Sequence, residues 1–266
     1  MSQRLFCSGH DRCKNGCIYC FSDWSEGQFF GELSAAQAGD VSVVYPICDS
    51  EVLYQTEDFF ARLCDYAERA AHPVVFSIST KCPWTAEQLN RIAAFNRNYA
   101  SVIKLAVSFS AMEHLPETEP HALPLEGRLA LLSELNARGI PTNILLKPLL
   151  PFIDAAEYRR LIFRCAEICR RFVAGDLYVS PGTPFFDTYI GGRYPLLKKY
   201  STWMQKEVTY VRHPDYESIL AAVGEAGGQV WESDLAMIRD SGPVPFAGDP
   251  SGERDEKATE KGRTDT

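Results

Sequence analysis

The chain has 266 residues, 45% of them hydrophobic and 23% charged, with a formal net charge of -8 and an isoelectric point near 5.2. That length buries a sizeable core without staples, and the composition excludes a fibre or a wholly disordered chain. The acidic balance gives no support for broad attraction to polyphosphate, although nucleic acid is not excluded as a partner.

The N-terminus lacks the apolar core of a signal peptide, and no later run reaches the roughly 18 apolar residues of a membrane helix. The expectation is a cytoplasmic protein with no membrane partner.

In chain order, short runs rich in Val, Ile and Leu read as strands at 4–7, 41–47, 74–80, 102–109, 142–147 and 176–180. Helical patterns fill most of the intervals: 54–71, 84–100, 125–138 closed by Gly139, and 154–172 with Asp154 placed to cap its start. The weak unit is the first, where FFGELSAAQAG between Cys20 and Asp40 reads as a short helix or a covering loop. Alternation of this kind predicts an α/β fold with a parallel sheet, a partial (β/α)6 TIM-type barrel whose reactive groups sit at the C-terminal ends of the strands. Residues 1–180 would form that core.

Residues 181–240 read as a C-terminal extension that closes the barrel and shapes the substrate pocket. It is aromatic and Gly-interrupted, with Phe185, Phe186, Tyr189, Tyr194, Tyr200 and Trp203, then a helix and a short strand at QVWES. Residues 241–266 are Pro/Gly-rich and then densely charged, the composition of a disordered tail.

Nine cysteines, an odd number without an export signal, point to thiol chemistry rather than a disulfide framework. Three of them, Cys13, Cys17 and Cys20, crowd the segment DRCKNGCIYCFSDW just after the first strand. The spacing admits three metal centres. Structural zinc wants four protein ligands, which Cys7 or His10 would complete. A closed iron-sulfur cluster also wants four thiolates, with Cys7 again available. A 4Fe-4S cluster with one open iron needs three and only three.

The position of CKNGCIYC, on a loop at the end of the first barrel strand, resembles the cluster loop of the radical S-adenosylmethionine (radical SAM) superfamily, CxxxCxxC with an aromatic residue before the last cysteine. Within it the look is nearest to the spore photoproduct lyase-like proteins, over residues 3 to 180. The resemblance implies a 4Fe-4S cluster on Cys13, Cys17 and Cys20, and SAM chelated at the open iron. It further implies an external electron donor such as a flavodoxin or ferredoxin, and reductive cleavage of SAM to a 5′-deoxyadenosyl radical that takes a hydrogen atom from substrate.

Other segments take expectations from the same resemblance. VSVVYPICDSEVL stands where the superfamily has a Gly-Gly-Glu segment; the acid is kept and the glycines are not, so Glu51 or Asp49 would meet the SAM amine, while Asp49 or Ser50 could instead cap the next helix. VVFSISTKCPW resembles the STK segment, placing Ser79 and Lys81 at the rim with Lys81 toward the SAM carboxylate, and Cys82 near enough to donate a hydrogen atom or to serve as inert packing. In VIKLAVSFS, Ser108 and Ser110 share a face with Lys104 and Ala106 and could reach the ribose. The stretch from Glu119 to Pro151 resembles EP-x-x-x-P…RL…GI…PxxP, raising Glu119 and Arg128 as rim ion pairs, with Arg128 alternatively an anchor for its helix, and Lys147 as an inward contact to SAM or substrate or, with Pro148 and Pro151, a conformational stop to the strand. Cys165 and Cys169, four apart on a helix, read as core. The reaction and its substrate are not legible; an unelaborated core favours a small molecule or peptide, with nucleic-acid lesion repair and a non-catalytic metal protein as alternatives.

Overall fold

The structure, a computed structural model, describes residues 3–9, 13–20, 33, 41–55, 57–201, 204 and 206–241. His10, Trp203, most of the 20–40 interval and the charged tail, on which several expectations fall, lie outside the described residues.

Seven strands form one parallel sheet in the order β1 (Gln3–Phe6), β2 (Val41–Tyr45), β3 (Val75–Thr80), β4 (Val102–Ser108), β5 (Thr142–Leu146), β6 (Arg171–Ala174) and β10 (Gln229–Trp231). Neighbours in the sheet are neighbours in sequence until the last step, so the sheet winds as a partial barrel whose edges, β1 and β10, do not meet.

Helices α1 (Phe59–Arg69), α2 (Ala86–Asn98), α4 (Leu125–Ala137) and α5 (Ala155–Ala166) connect successive strands, and the short α3 (Leu115–Thr118) precedes α4. Their starts and stops follow local chemistry. Thr85 and Gln88 form a reciprocal capping box at α2, Asp154 accepts from the Ala156 amide at α5, and Gly139 ends α4 with φ of +64°. Tyr66, Phe76 and Phe95 pack edge to face between sheet and helices.

Two expectations are corrected. The helical pattern over 154–172 ends at Ala166, and its last residues belong to β6, where Phe172 and Val173 are fully buried on opposite faces of the sheet. The run at 176–180 is also a strand, β7 (Leu177–Val179), but it joins β9 (Lys206–Val211) and β8 (Leu197–Ser201) in a separate three-stranded antiparallel sheet. An amphipathic helix running into a four-residue strand leaves no break in apolar spacing, which is why the boundary is invisible in the pattern. The extension then returns to the core through α6 (Tyr216–Glu225), β10 and α7 (Asp234–Asp240).

One buried ion pair ties that return to the sheet. Lys104, fully buried at the middle of β4, donates to Asn143 Oδ1 and to Asp234 Oδ1, both at 2.5 Å, and Ser77 donates to the other Asp234 oxygen at 2.6 Å. Asp234 is the first residue of α7, where a carboxylate also meets the positive end of the helix. Among the described residues, no helix is long and apolar enough to cross a membrane.

Removing one partner of a buried pair leaves the other charged and desolvated, so Lys104→Met should destabilise the protein by about 3–5 kcal/mol in urea unfolding. The double substitution Lys104→Met with Asp234→Leu should recover most of that loss; a double variant no more stable than the single would show that the pair is not what couples α7 to the sheet.

Candidate active site

A cavity of about 570 Å³ opens at the C-terminal ends of the parallel strands. Cys13, Cys17 and Cys20 all line it, on the loop that follows β1. None of the nine cysteines forms a disulfide, and Cys17 and Cys20 are near enough to Cys13, and Cys20 to Cys17, to raise the pKa of each.

The loop is held from several sides. Gly16 has φ of +64°, and a Cβ there would lie 3.2 Å from the His121 ring, so both conformation and space call for glycine. The Ile18 amide donates to Thr118 O at 3.0 Å and the His121 amide to Asn15 O at 3.2 Å. Asn15, buried in the middle of the loop, donates to Glu51 at 3.3 Å and accepts from Tyr54 at 3.1 Å and from the Cys82 thiol at 3.2 Å. Behind it, Glu157 of α5 accepts the Met112 and Glu113 amides at 2.6 and 2.8 Å, which fixes the segment leading to α3.

Glu119 is the hub. Its carboxylate, 2% exposed, accepts from Arg128 Nη2, from the Tyr19 hydroxyl and from Ser110 Oγ at 2.6 Å, with Lys81 Nζ at 3.3 Å. Burial alone would raise its pKa, yet Lys81 and Arg128 bring it down to about 2. Arg128 is itself buried and also donates to the carbonyls of Leu123 and Ser108 at 2.7 Å.

Lys81 extends this network to the thiols. Its ammonium donates to Tyr19 Oη at 2.9 Å and to Cys17 Sγ at 3.6 Å, over the face of the Tyr19 ring. Burial would lower its pKa, but Glu119, Tyr19 and Cys17 together hold it well above the ordinary lysine value. Burial pushes the Cys17 thiol up, and Lys81 opposes that rise.

The expected site residues therefore divide. Asp49, Glu51, Ser79, Lys81, Ser108 and Lys147 line the cavity with the three thiols. Glu51 is 6% exposed and largely engaged, accepting from Thr80 Oγ1 at 2.7 Å and the Lys81 amide at 2.8 Å. Asp49 accepts from the Gly9 amide at 2.8 Å. Ser110, Glu119, Arg128 and Cys82 do not line the cavity; the first three are the buried bracing just described rather than rim groups, and Cys82, 1% exposed, is taken up with Asn15. Cys7 is fully buried between β1 and β2, its amide and carbonyl paired with Tyr45 O and the Cys48 amide, and burial pushes its thiol up to about 12. Cys165 and Cys169 sit in the core.

The sequence reading passed over Asn15, Tyr19 and Thr80 as anchors; Tyr19 was visible as the aromatic of the motif, but its hydroxyl partner lies 100 residues away. Of the aromatic residues expected to shape the pocket, Tyr200 lines it, whereas Phe185, Phe186 and Tyr194 pack against the core. The extension contributes other groups, among them Lys199, Arg212, Tyr216, Glu232 and Asp234. Among the described residues, five cationic and five acidic side chains line the cavity.

Among the described residues, no three His, Cys, Asp or Glu side chains converge tightly enough to hold a single metal ion. The donor set does suit a cluster: three thiols, none in a disulfide, mutually close, on one braced loop, with a lysine ammonium against one of them.

No protein-family model matches the sequence, and no curated protein matches it. Solved structures do. A spore photoproduct lyase carrying a Cys-to-Ser substitution superposes with a TM-score of 0.59 at 13% identity, covering 86% of this chain and 75% of that one. A second variant of that lyase, with bound AdoMet and dinucleoside spore photoproduct, gives 0.55 at 13% identity over 86% and 75%. SuiB of Streptococcus suis gives 0.51 at 14% identity over 68% of this chain and 41% of that one. At these identities the likeness is one of fold: this chain shares the partial-barrel architecture of the spore photoproduct lyase and SuiB structures, with its thiol loop at the end of β1.

Proposed function

We propose that the protein is a radical SAM enzyme in which Cys13, Cys17 and Cys20 hold a 4Fe-4S cluster and SAM lies in the adjoining cavity. The observation that carries this reading is the placement of three thiols from one loop, none in a disulfide, on a single cavity at the C-terminal strand ends, with Cys7 buried away from it. Thiols that share a cavity without converging on one point suit separate irons rather than a tetrahedral zinc, whose ligands all lie ~2.3 Å from one centre. Once bound and reduced by an external donor such as a flavodoxin or ferredoxin, the pair of cofactors supplies a 5′-deoxyadenosyl radical, which removes a hydrogen atom from substrate.

The chain's own part is binding, charge and exclusion. Lys81 donates to Cys17 Sγ and so favours the thiolate that ligation requires. Tyr19 and Asn15, anchored on Glu119 and Glu51, keep the loop in one conformation. Asp49 and Glu51 present the acceptors for the methionyl ammonium, while Ser79 and Ser108 place hydroxyls along the same wall for the ribose. With its ammonium committed to Glu119, Tyr19 and Cys17, Lys81 serves the cluster loop rather than the SAM carboxylate.

The lining balances cations against acids within one bounded cavity, which favours a small molecule or a peptide over a polyphosphate duplex. A second reading, repair of a nucleic-acid lesion, is favoured by the fold match to a lyase whose structure holds a dinucleoside spore photoproduct. Isotope transfer into 5′-deoxyadenosine from deuterated candidates of each kind separates the two.

Anaerobic reconstitution with iron and sulfide, followed by reduction with SAM present, should yield 5′-deoxyadenosine; stoichiometric zinc binding with no 5′-deoxyadenosine would sink the enzyme reading. Cys17→Ala should lose both the cluster absorbance and SAM cleavage, whereas Cys7→Ala should keep both, and loss in both variants would point to four-thiolate ligation. Lys81→Met should weaken cluster retention roughly ten- to hundredfold, the range typical of groups that support a metal ligand, with Lys81→Arg falling in between; unchanged retention in Lys81→Met would remove the lysine from this role.

A further inference from the structure

The far wall of the cavity carries three cations, Lys147 at the end of β5, four strands along the sheet from β1, and Lys199 and Arg212 from the antiparallel sheet, set in place by two consecutive residues. Gly175 donates to Leu146 O at 3.1 Å and accepts from the Leu149 amide at 2.9 Å, so its backbone brackets Lys147 at the end of β5. The lysine stem lies directly across it. A Cβ built at Gly175 would stand 1.9 Å from Lys147 Cε and 2.9 Å from both Cγ and Cδ, and the glycine is therefore the condition for this side-chain path.

The next residue, Asp176, is buried and clamps two cations from the antiparallel sheet. It accepts from Lys199 Nζ at 3.0 Å and from Arg212 Nε and Nη2 at 3.1 and 3.4 Å. Lys199 also lies over the Tyr178 and Tyr210 rings, at 5.2 and 4.3 Å from their centroids, and Arg212 over Tyr216 at 4.6 Å. These contacts fix where both charges sit.

Cations outnumber the acids left to meet them on this wall. Asp176 serves both Lys199 and Arg212, and Asp234 is already paired with Lys104, which leaves the Glu232 carboxylate as the further acid near Lys147. The Lys147 ammonium donates to a neutral partner, the Glu232 carbonyl, at 3.0 Å. Burial lowers the Lys147 pKa and Lys199 lowers it further, against the opposing pull of Asp234, Asp176 and Glu232. An oxyanion that accepts from Lys147 and from its cationic neighbours would offset the charge that Lys199 sets against Lys147.

We propose that Lys147, Lys199 and Arg212 form a subsite for an oxyanion of the substrate, a carboxylate or a phosphate, held on the wall opposite the thiol loop. The inference rests on the enzyme reading for the identity of its ligand as a substrate; the anion site itself does not need the cluster. Such a placement puts an acidic group of a small substrate at one end of the cavity and leaves its C–H bonds toward the other.

The test is a titration on the full chain after reductive methylation of its lysines with ¹³C-formaldehyde, with the Lys147 signal assigned by its loss in Lys147→Arg. Inorganic phosphate and acetate are added separately. The Lys147 signal should shift saturably with at least one of them, and the tighter of the two identifies the group. Lys199→Met should weaken that binding about tenfold, the loss of one charge-assisted hydrogen bond, and Lys199→Arg should restore it. Gly175→Ala, which removes no charge, should abolish the response by displacing the lysine, with a thermal melt confirming a folded chain. Isothermal titration of the unmethylated protein with the same two anions gives a second readout. No saturable response to either anion, an undiminished response in Lys199→Met, or displacement of the anion by SAM would overturn the proposal, and none of these outcomes depends on whether reconstituted protein cleaves SAM.

Discussion

A single carboxylate does most of the positioning. Glu119 receives Arg128 from α4, Ser110 from beyond β4, Tyr19 from the thiol loop and approaches Lys81 from the end of β3. Four separate chain segments are thereby referred to one buried point. An anion this deep is tolerable because two cations and two hydroxyls satisfy it, and the arrangement has a direction: the cationic excess around Glu119 is passed outward through Lys81 to Cys17. The loop that would hold a cluster thus sits at the end of a chain of charges whose inner terminus never meets the cavity.

The cavity has two differently built ends. Near the thiol loop the polar groups come from the ends of β2, β3 and β4 and are engaged with one another, as in Glu51 with Thr80 and Asn15. At the opposite end they come from the junction of β6 and β7 and from the antiparallel sheet, with cations gathered on Asp176 and stacked on tyrosines. The first end belongs to the parallel sheet, and the second to its junction with the antiparallel sheet.

The legible part of the sequence was what short-range patterning encodes. The first five strands of the sheet and the helices after β2, β3, β4 and β5 follow from apolar period, caps and Gly139, and the CKNGCIYC loop was readable from its spacing and its place after a strand. What failed needed long-range information. Arg171 and Phe172 were merged into a helix because the apolar spacing runs on, and only pairing with β5 marks Arg171–Ala174 as a strand. Glu119 and Arg128 were read as rim ion pairs and Ser110 as a hydroxyl toward the ribose; the two charges do pair, but the chain turns inward past Ser108 and buries all three. Lys104 showed its inward face but gave no sign of Asp234, 130 residues later.

That last separation bears on how the protein is made. The sheet can gather β1 through β6 as the chain emerges, but Lys104 then occupies the middle of β4 with Asn143 as its one side-chain partner until residue 234 arrives. Synthesis from the N-terminus delivers the counter-charge only after β1 through β9, together with the strand that extends the sheet beyond β6. A nascent sheet of β1 through β6 would therefore carry an uncompensated cation at its centre until residue 234 emerges, and its thiol loop would meet solvent before that charge is satisfied.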